Sequence, residues 1–448
     1  MTDTLLLRDA EVHGTRTDVL VDGGRVVAVG ARERGSAEVV QVVEVVECRG
    51  GALLPGLHDH HLHLHALAAA RRSVRCPADH AALAVALRAA EADVHGWVRG
   101  VGYPGDDLDA AVLDRLHGER PVRIQHRSGA MWVLNSAALA RIGPPDHPGV
   151  ELRDGAPTGR VLRADDWLRA RLPAADPPDL RGLGAELASL GLTALTDATP
   201  DLADPASLAV VPQRLTLLGV ALGAAPPPGV VAGPYKIVLA DSGLPGLDEL
   251  VERIRAAHAV GRPVAVHSVT RESLVLLLVA LHVAGVLPGD RVEHAAMVPA
   301  ELIGELGRLA VVTQPGFLAD RGDAFRREVP VADHGDLYRC RSLLDAGVAV
   351  APSSDAPYGP VDPWAVIAAA TTRSTPDGAP LGPDEAITAA EALAGYLAPT
   401  PGAPARRVAA GVRADLVLLH TPLADALREP SAAAVRAVWI GGVPQRLW

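Results

Sequence analysis

The sequence predicts an α/β protein: a (β/α)8 TIM barrel, a small β-sandwich domain built from both chain ends, and a large insertion after the first barrel strand. Three observations predict it. From residue 186 onward, apolar strand-like runs alternate with helical stretches. Both chain ends instead carry short Val/Leu runs without helix caps. A histidine-rich stretch, 54–65, follows the turn Pro55-Gly56 and would open the barrel. The expected domains are 1–53 with 401–448 (sandwich), 54–70 with 186–400 (barrel) and 71–185 (insertion).

Taken in order, Leu5–Val12 and Asp18–Val29 read as strands, with Asp22-Gly23-Gly24-Arg25 as a hairpin signal. In the strand 54–64, alternate residues share a face, so Asp59, His61, His63 and His65 would oppose His58 and His60. The insertion holds helical stretches (Ala81–Asp93, Ser136–Arg141, Ala164–Arg171), Pro-rich joints and the strand Val122–His126. Its Gly100-Val101-Gly102-Tyr103-Pro104-Gly105 fits GxGxxG, but Pro104 and Asp106-Asp107 do not suit a phosphate-binding helix start. Seven further barrel strands are expected at Leu192–Asp197, Arg214–Val220, Tyr235–Ala240, Pro263–His267, Arg291–His294, Ala310–Gln314 and Val348–Ser353. Helices Gly246–Val260 and Glu272–Gly285 lie between them. Ala414–Leu419, Val435–Ile440 and Val443–Leu447 return to strand texture.

Composition bounds the function. A chain of 448 residues with 49% hydrophobic content can bury a large core, but aromatics are only 3%, so Ala, Val and Leu must build it. Net charge is −11, with no basic stripe, which argues against nucleic acid. Cys48, Cys76 and Cys340 are too far apart for a disulfide framework or zinc knuckle. The N-terminus lacks a secretion-signal pattern, and the longest apolar run, Leu274–Leu287, is too short to span a bilayer. A soluble, cytoplasmic protein is expected, with no membrane partner; a homodimer stays open.

Two features point to chemistry. Five of seventeen histidines fall within 58–65, and paired imidazoles on one strand face can bite one metal ion. The competing reading is a His-rich surface loop. Of 42 basic residues, Lys236 is the single lysine. Lysine, unlike arginine, can lose its proton when desolvated and react with carbon electrophiles, including carbon dioxide. Chance retention is the alternative. His267 and His294 end strands, and Asp355 follows one, the positions where barrels carry reactive groups. Singly, each could be a packed histidine or a helix cap.

In this order the residues resemble the amidohydrolase superfamily over nearly the whole chain. Pro55-Gly56-Leu57-His58-Asp59-His60-His61-Leu62-His63 resembles its strand-one signature, and Val412-Arg413-Ala414-Asp415-Leu416-Val417 its C-terminal return. The insertion, Arg127…Asn135-Ser136-Ala137-Ala138-Leu139, and Ser354-Asp355-Ala356-Pro357 resemble the branch with N-substituted formamide deformylases. The resemblance implies that His61 and His63 bind a first metal with Asp355, and that His267 and His294 bind a second. It implies that carboxylated Lys236 bridges the two ions. Zinc suits such ligands, with manganese, iron or cobalt as alternatives. It further implies that a metal-activated hydroxide attacks an N-acyl or N-formyl amide, with Asp355 moving the proton. The insertion would then cover the active site, with Arg127, Trp132 and Asn135 as candidate substrate contacts and scaffold packing as their competing reading; strand parity alone places Asp59 as a support for the ligands. Two departures from the branch, Ala130 after Gly129 and Ser268-Val269-Thr270-Arg271 after His267, point to an altered specificity.

The reading is therefore a hydrolase of non-peptide carbon–nitrogen bonds acting on a small-molecule amide. A cyclic amide hydrolase or deaminase, a Schiff-base Lys236, and a catalytically inactive binding barrel are the rivals. Tyr358 and Trp364 are candidate pocket wall or core, and His58, His60 and His65 are packing candidates.

Overall fold

The computed structural model describes residues 4–30, 44–173, 177–240 and 243–447. Parts of the expected sandwich segment 1–53, namely 1–3 and 31–43, lie outside the described residues. The chain forms two compact units, Met1–Leu64 with Leu180–Trp448, and His65–Asp179.

In the first unit, each chain end contributes a four-stranded sheet. One holds Leu5–Val12, Thr15–Asp22, Arg25–Val29 and Glu44–Glu47; the other holds Leu53–Pro55, Leu416–Leu419, Val435–Ile440 and Val443–Leu447. Leu5, Leu7, Val19, Leu53, Leu416, Leu418 and Trp439 bury one shared core, so neither end needs an apolar face of its own in water. Leu53–Pro55 pairs with Leu416–Leu418, and the chain then changes sheets at Gly56. A Cβ at Gly56 would meet Thr193 Oγ1 at 2.1 Å, so only glycine permits this passage. The histidine-rich stretch is thus divided: Leu57–Leu62 is strand, while His65 sits in helix Leu64–Arg71 and leaves the strand parity.

All eight expected barrel strands are present, but they form two parallel sheets instead of one closed ladder. Leu57–Leu62, Leu192–Asp197, Arg214–Leu217 and the unforeseen Val230–Ala232 make the first. Tyr235–Val238, Val264–Ser268, Arg291–His294, Ala310–Thr313 and Ala349–Pro352 make the second. The physical reason lies at the seams. Val230–Ala232 occupies the edge of Arg214–Leu217, and the backbone bond from Lys236 N to Leu218 O (3.2 Å) crosses the seam. At the other seam, Asp355 N reaches His61 O (2.8 Å) and His63 N reaches Ala356 O (2.9 Å).

Strand alternation sorts the second sheet's faces. Ile237, Val264, Val266, Val292 and Val311 pack against Leu250, Ile254, Leu274 and Leu277 of helices Leu247–Ala259 and Arg271–Ala284. By period two, Lys236, Ala265, His267, Arg291 and Glu293 take the opposite face.

The second unit is a six-stranded mixed sheet with helices His80–Ala89, Ala110–His117, Ser136–Ile142 and Asp165–Arg171. Among the described residues, no helix is long and apolar enough to cross a membrane.

Candidate metal centre

His61, His63 and Asp355 meet where the first strand ends beside the loop after the last. One ligand atom from each lies within 4.8 Å of the others. Asp355 Oδ1 is 3.1 Å from His63 Nε2 and 3.5 Å from His61 Nε2. Donor atoms about 2.1 Å from one tetrahedral ion would stand about 3.4 Å apart, so these separations suit a shared metal. His61 Nε2 and Asp355 Oδ1 are buried and have no hydrogen-bond partner. Such atoms cost about 1–3 kcal/mol each if left so.

The second pair adjoins this group. The His294 ring lies 4.7 Å from His61 and 4.4 Å from His267, centroid to centroid, and His294 Nδ1 is 3.8 Å from Asp355 Oδ2. Lys236 is also buried, and its Nζ has no hydrogen-bond partner. The register pairs Lys236 with Ala265 and Val238 with His267, so Lys236 starts two residues short of the histidine level. A four-carbon stem covers that difference. Glu293 and Asp355 act on its ammonium electrostatically. All six expected ligands therefore fall in one region.

Sequence reasoning missed the groups that orient the ligands. Glu293 Oε2 bonds His61 Nδ1, Thr199 Oγ1 lies 3.2 Å from His63 Nδ1, and Gln314 Oε1 lies 2.8 Å from His294 Nδ1. With each Nδ1 engaged, Nε2 is left to serve as the ligand atom. Glu293 could have been found by parity, since it shares the His267 register on the inward face. Gln314 and Thr199 gave no signal of their own.

Electrostatics favour ligation. Burial holds the His61 and His294 imidazoles well below the usual histidine range, so both are neutral with free lone pairs. Burial likewise lowers Lys236, favouring the reactive amine. The backbone is strained here: His294 (φ 72°), Ala295 (φ 44°) and Asp355 (φ 52°) are all left-handed. By parity His294 would face outward with Val292; the left-handed turn brings its ring to His267 and His61 instead. Asp59 supports the ligand segments through their backbone. Its Oδ1 accepts from His61 N (3.1 Å) and Ser354 N (3.3 Å), tying together the two ligand-bearing segments, and burial pushes its carboxyl up to about 6.

The remaining candidates separate cleanly. His58 bonds Pro399 O and Thr196 Oγ1, and His60 bonds Gly395 O, so both are packing residues. Trp364 is fully buried and donates to Leu190 O, while Tyr358 is half-buried with its ring edge-on to His63 at 5.6 Å. Trp132 and Asn135, the other two candidates from this region, have scaffold partners. Trp132 Nε1 donates to Asp165, and its ring lies under Arg99 and Arg123. Asn135 Oδ1 accepts from Val122 N and Ala138 N, and its Nδ2 donates to His117 O and Arg120 O. Asn135→Ala should therefore lower unfolding stability by about 2 kcal/mol, read by urea titration, without changing metal content. Arg127 lies in the turn after Val122–His126, its amide bonded to Tyr103 O.

Comparison with known proteins gives three results. A model described as "Amidohydrolase family" matches residues 44–445. An N-substituted formamide deformylase of Arthrobacter pascens is 27% identical, over 95% of this chain and 94% of its own. The crystal structure of a metal-dependent hydrolase from Pyrococcus horikoshii superposes with TM-score 0.72 at 18% identity, covering 97% of this chain and 99% of its own; a Pyrococcus furiosus counterpart gives 0.69 at 19%, covering 96% and 100%.

Proposed function

This chain belongs to the amidohydrolase family and is a hydrolase of carbon–nitrogen bonds other than peptide bonds; on that premise we propose that it is a dinuclear metal enzyme opening an N-acyl or N-formyl amide of a small molecule. We read its two parallel sheets as halves of a (β/α)8 barrel, with the terminal sheets as a sandwich domain and 71–185 as an insertion.

His61, His63 and Asp355 would hold one ion, and His267 and His294 the other. Lys236, carboxylated on Nζ, would bridge them. When bound, such a pair lowers the pKa of water and polarises a carbonyl. The chain's own part is positional and protic. Glu293, Thr199 and Gln314 hold three imidazoles with Nε2 presented. Asp355 Oδ1, among the ligand nitrogens and otherwise unpartnered, is placed to take a proton from water and return it to the leaving nitrogen. The observation that carries this reading is the convergence of three buried, unpartnered groups, His61 Nε2, Asp355 Oδ1 and Lys236 Nζ.

Zinc is the expected metal. Elemental analysis of protein purified without chelator should give about two divalent ions per chain, and a panel of N-formyl amines should be turned over. One ion or fewer at full loading would overturn the dinuclear scheme. Asp355→Asn should cut kcat by about 10²–10⁴-fold. The compact trio of His61, His63 and Asp355 also admits a mononuclear deaminase. Ammonia release with a single bound ion, and indifference to loss of Lys236, would favour that reading.

A further inference from the structure

The loops that carry this centre's ligands also carry large apolar groups, and the Tyr358 ring lies 5.6 Å from His63. The chain has two phenylalanines and five tyrosines. Phe317, Tyr338 and Tyr358 gather in one cluster with Val269 and Met297. Val269, Met297 and Tyr358 each follow a proposed ligand, His267, His294 or Asp355, by two or three residues, and all three are half-buried. The wall therefore grows from the same loops that carry the ligands.

One cation enters this wall. Helix Gly316–Glu328 breaks at Arg321 (φ −142°, ψ 17°). The Arg321 guanidinium stacks 3.8 Å over the Phe317 ring, and its Nη2 donates to Tyr358 O at 2.8 Å. Tyr358 N in turn bonds Asp355 O, so a single residue separates the guanidinium from the metal-bearing loop. Its Nε is buried with no partner. Arg271, Arg326 and Arg339 on surrounding elements each hold a carboxylate; among the described residues Arg321 pairs with none. Guanidinium has five N–H donors, and this one is preorganised by stacking but left without an anion.

Resting on the hydrolase reading above, we propose that Arg321 is a specificity-determining residue that takes a carboxylate of the substrate. The preferred amide then carries an acid group a few bonds from the scissile nitrogen, beside an apolar side chain seated on Met297 and Tyr358. The N-acyl derivative of a neutral amine is the poorer substrate.

A matched pair tests this: N-formylphenylalanine and its decarboxylated counterpart, N-formylphenethylamine, with the metal-loaded wild type, Arg321→Met and Arg321→Lys. The wild type should favour the acid in kcat/KM. In R321M the acid-to-amine ratio should fall about 100-fold, mainly through KM, with partial recovery in R321K. An equal change for both compounds, or a wild type that favours the neutral amide, would overturn the assignment while leaving the hydrolase reading intact. Calorimetric binding of both compounds in the same samples separates the two ideas. Arg321-dependent binding of the acid without turnover of either compound would uphold recognition and remove the N-formyl amide as substrate.

Discussion

A Lys236→Arg variant should fold, carry a fixed positive charge and lose about 10³-fold or more in turnover. The argument starts from position. Lys236 Nζ is sealed in the protein without a hydrogen-bond partner, and burial drives its pKa down. Both conditions favour the free amine, which can add carbon dioxide at nitrogen and release a proton to give an anionic carbamate. The guanidinium of arginine stays protonated and cannot do so. Losing the bridge would remove several kcal/mol of charge stabilisation, and about 1.4 kcal/mol corresponds to tenfold in rate. Kinetics, metal content and a carbon-13 carbamate resonance after labelled bicarbonate would be read together. Lys236→Met provides the control for folding. Because it removes a buried polar group that has no hydrogen-bond partner, the metal-free variant should be at least as stable as the metal-free wild type. Wild-type turnover in K236R would exclude the carbamate.

Much of this site was legible because barrel chemistry concentrates at strand ends. Hydrophobic alternation located the eight strands, and His267, His294 and Asp355 stood out by where they fell on those runs. What alternation could not supply was the edge strand Val230–Ala232, three residues long and flanked by proline and glycine, which takes up one seam. Nor could it foresee that the histidine stretch leaves strand geometry after Leu62, putting His65 in a helix. Local pattern also says nothing about partners far away in sequence. Thr199 and Gln314 are ordinary residues until the fold brings them to His63 and His294, and parity puts Glu293 on the inward face without showing that it meets His61. Asn135 shows a different limit: its residue type and segment leave a substrate contact and a scaffold role both open, and the structure adds that it N-caps helix Ser136–Ile142.

Glu293 carries two burdens, and its variants should separate them. Oε2 engages His61 Nδ1, and Oε1 accepts from Arg291 Nε at 2.6 Å, with both partners almost wholly buried. Arg291 Nη2 also donates to His60 O at 3.2 Å, so the guanidinium is anchored below the ligand layer. In Glu293→Ala, Arg291 becomes a buried cation without its anion, and the expected loss is about 3–5 kcal/mol in unfolding free energy of the metal-free protein. Glu293→Gln keeps the volume and one oxygen to accept from Arg291. Its amide nitrogen, however, then faces the His61 Nδ1–H, two donors in contact. The imidazole must turn or change tautomer, and Nε2 is no longer held toward the ion. Metal affinity in E293Q should fall by about 10–100-fold, with a smaller stability loss than in E293A. Competition with a calibrated chelator measures the first quantity and denaturant titration the second. If E293Q binds metal like the wild type, the carboxylate does not orient His61, and Glu293 is only the counter-ion of Arg291.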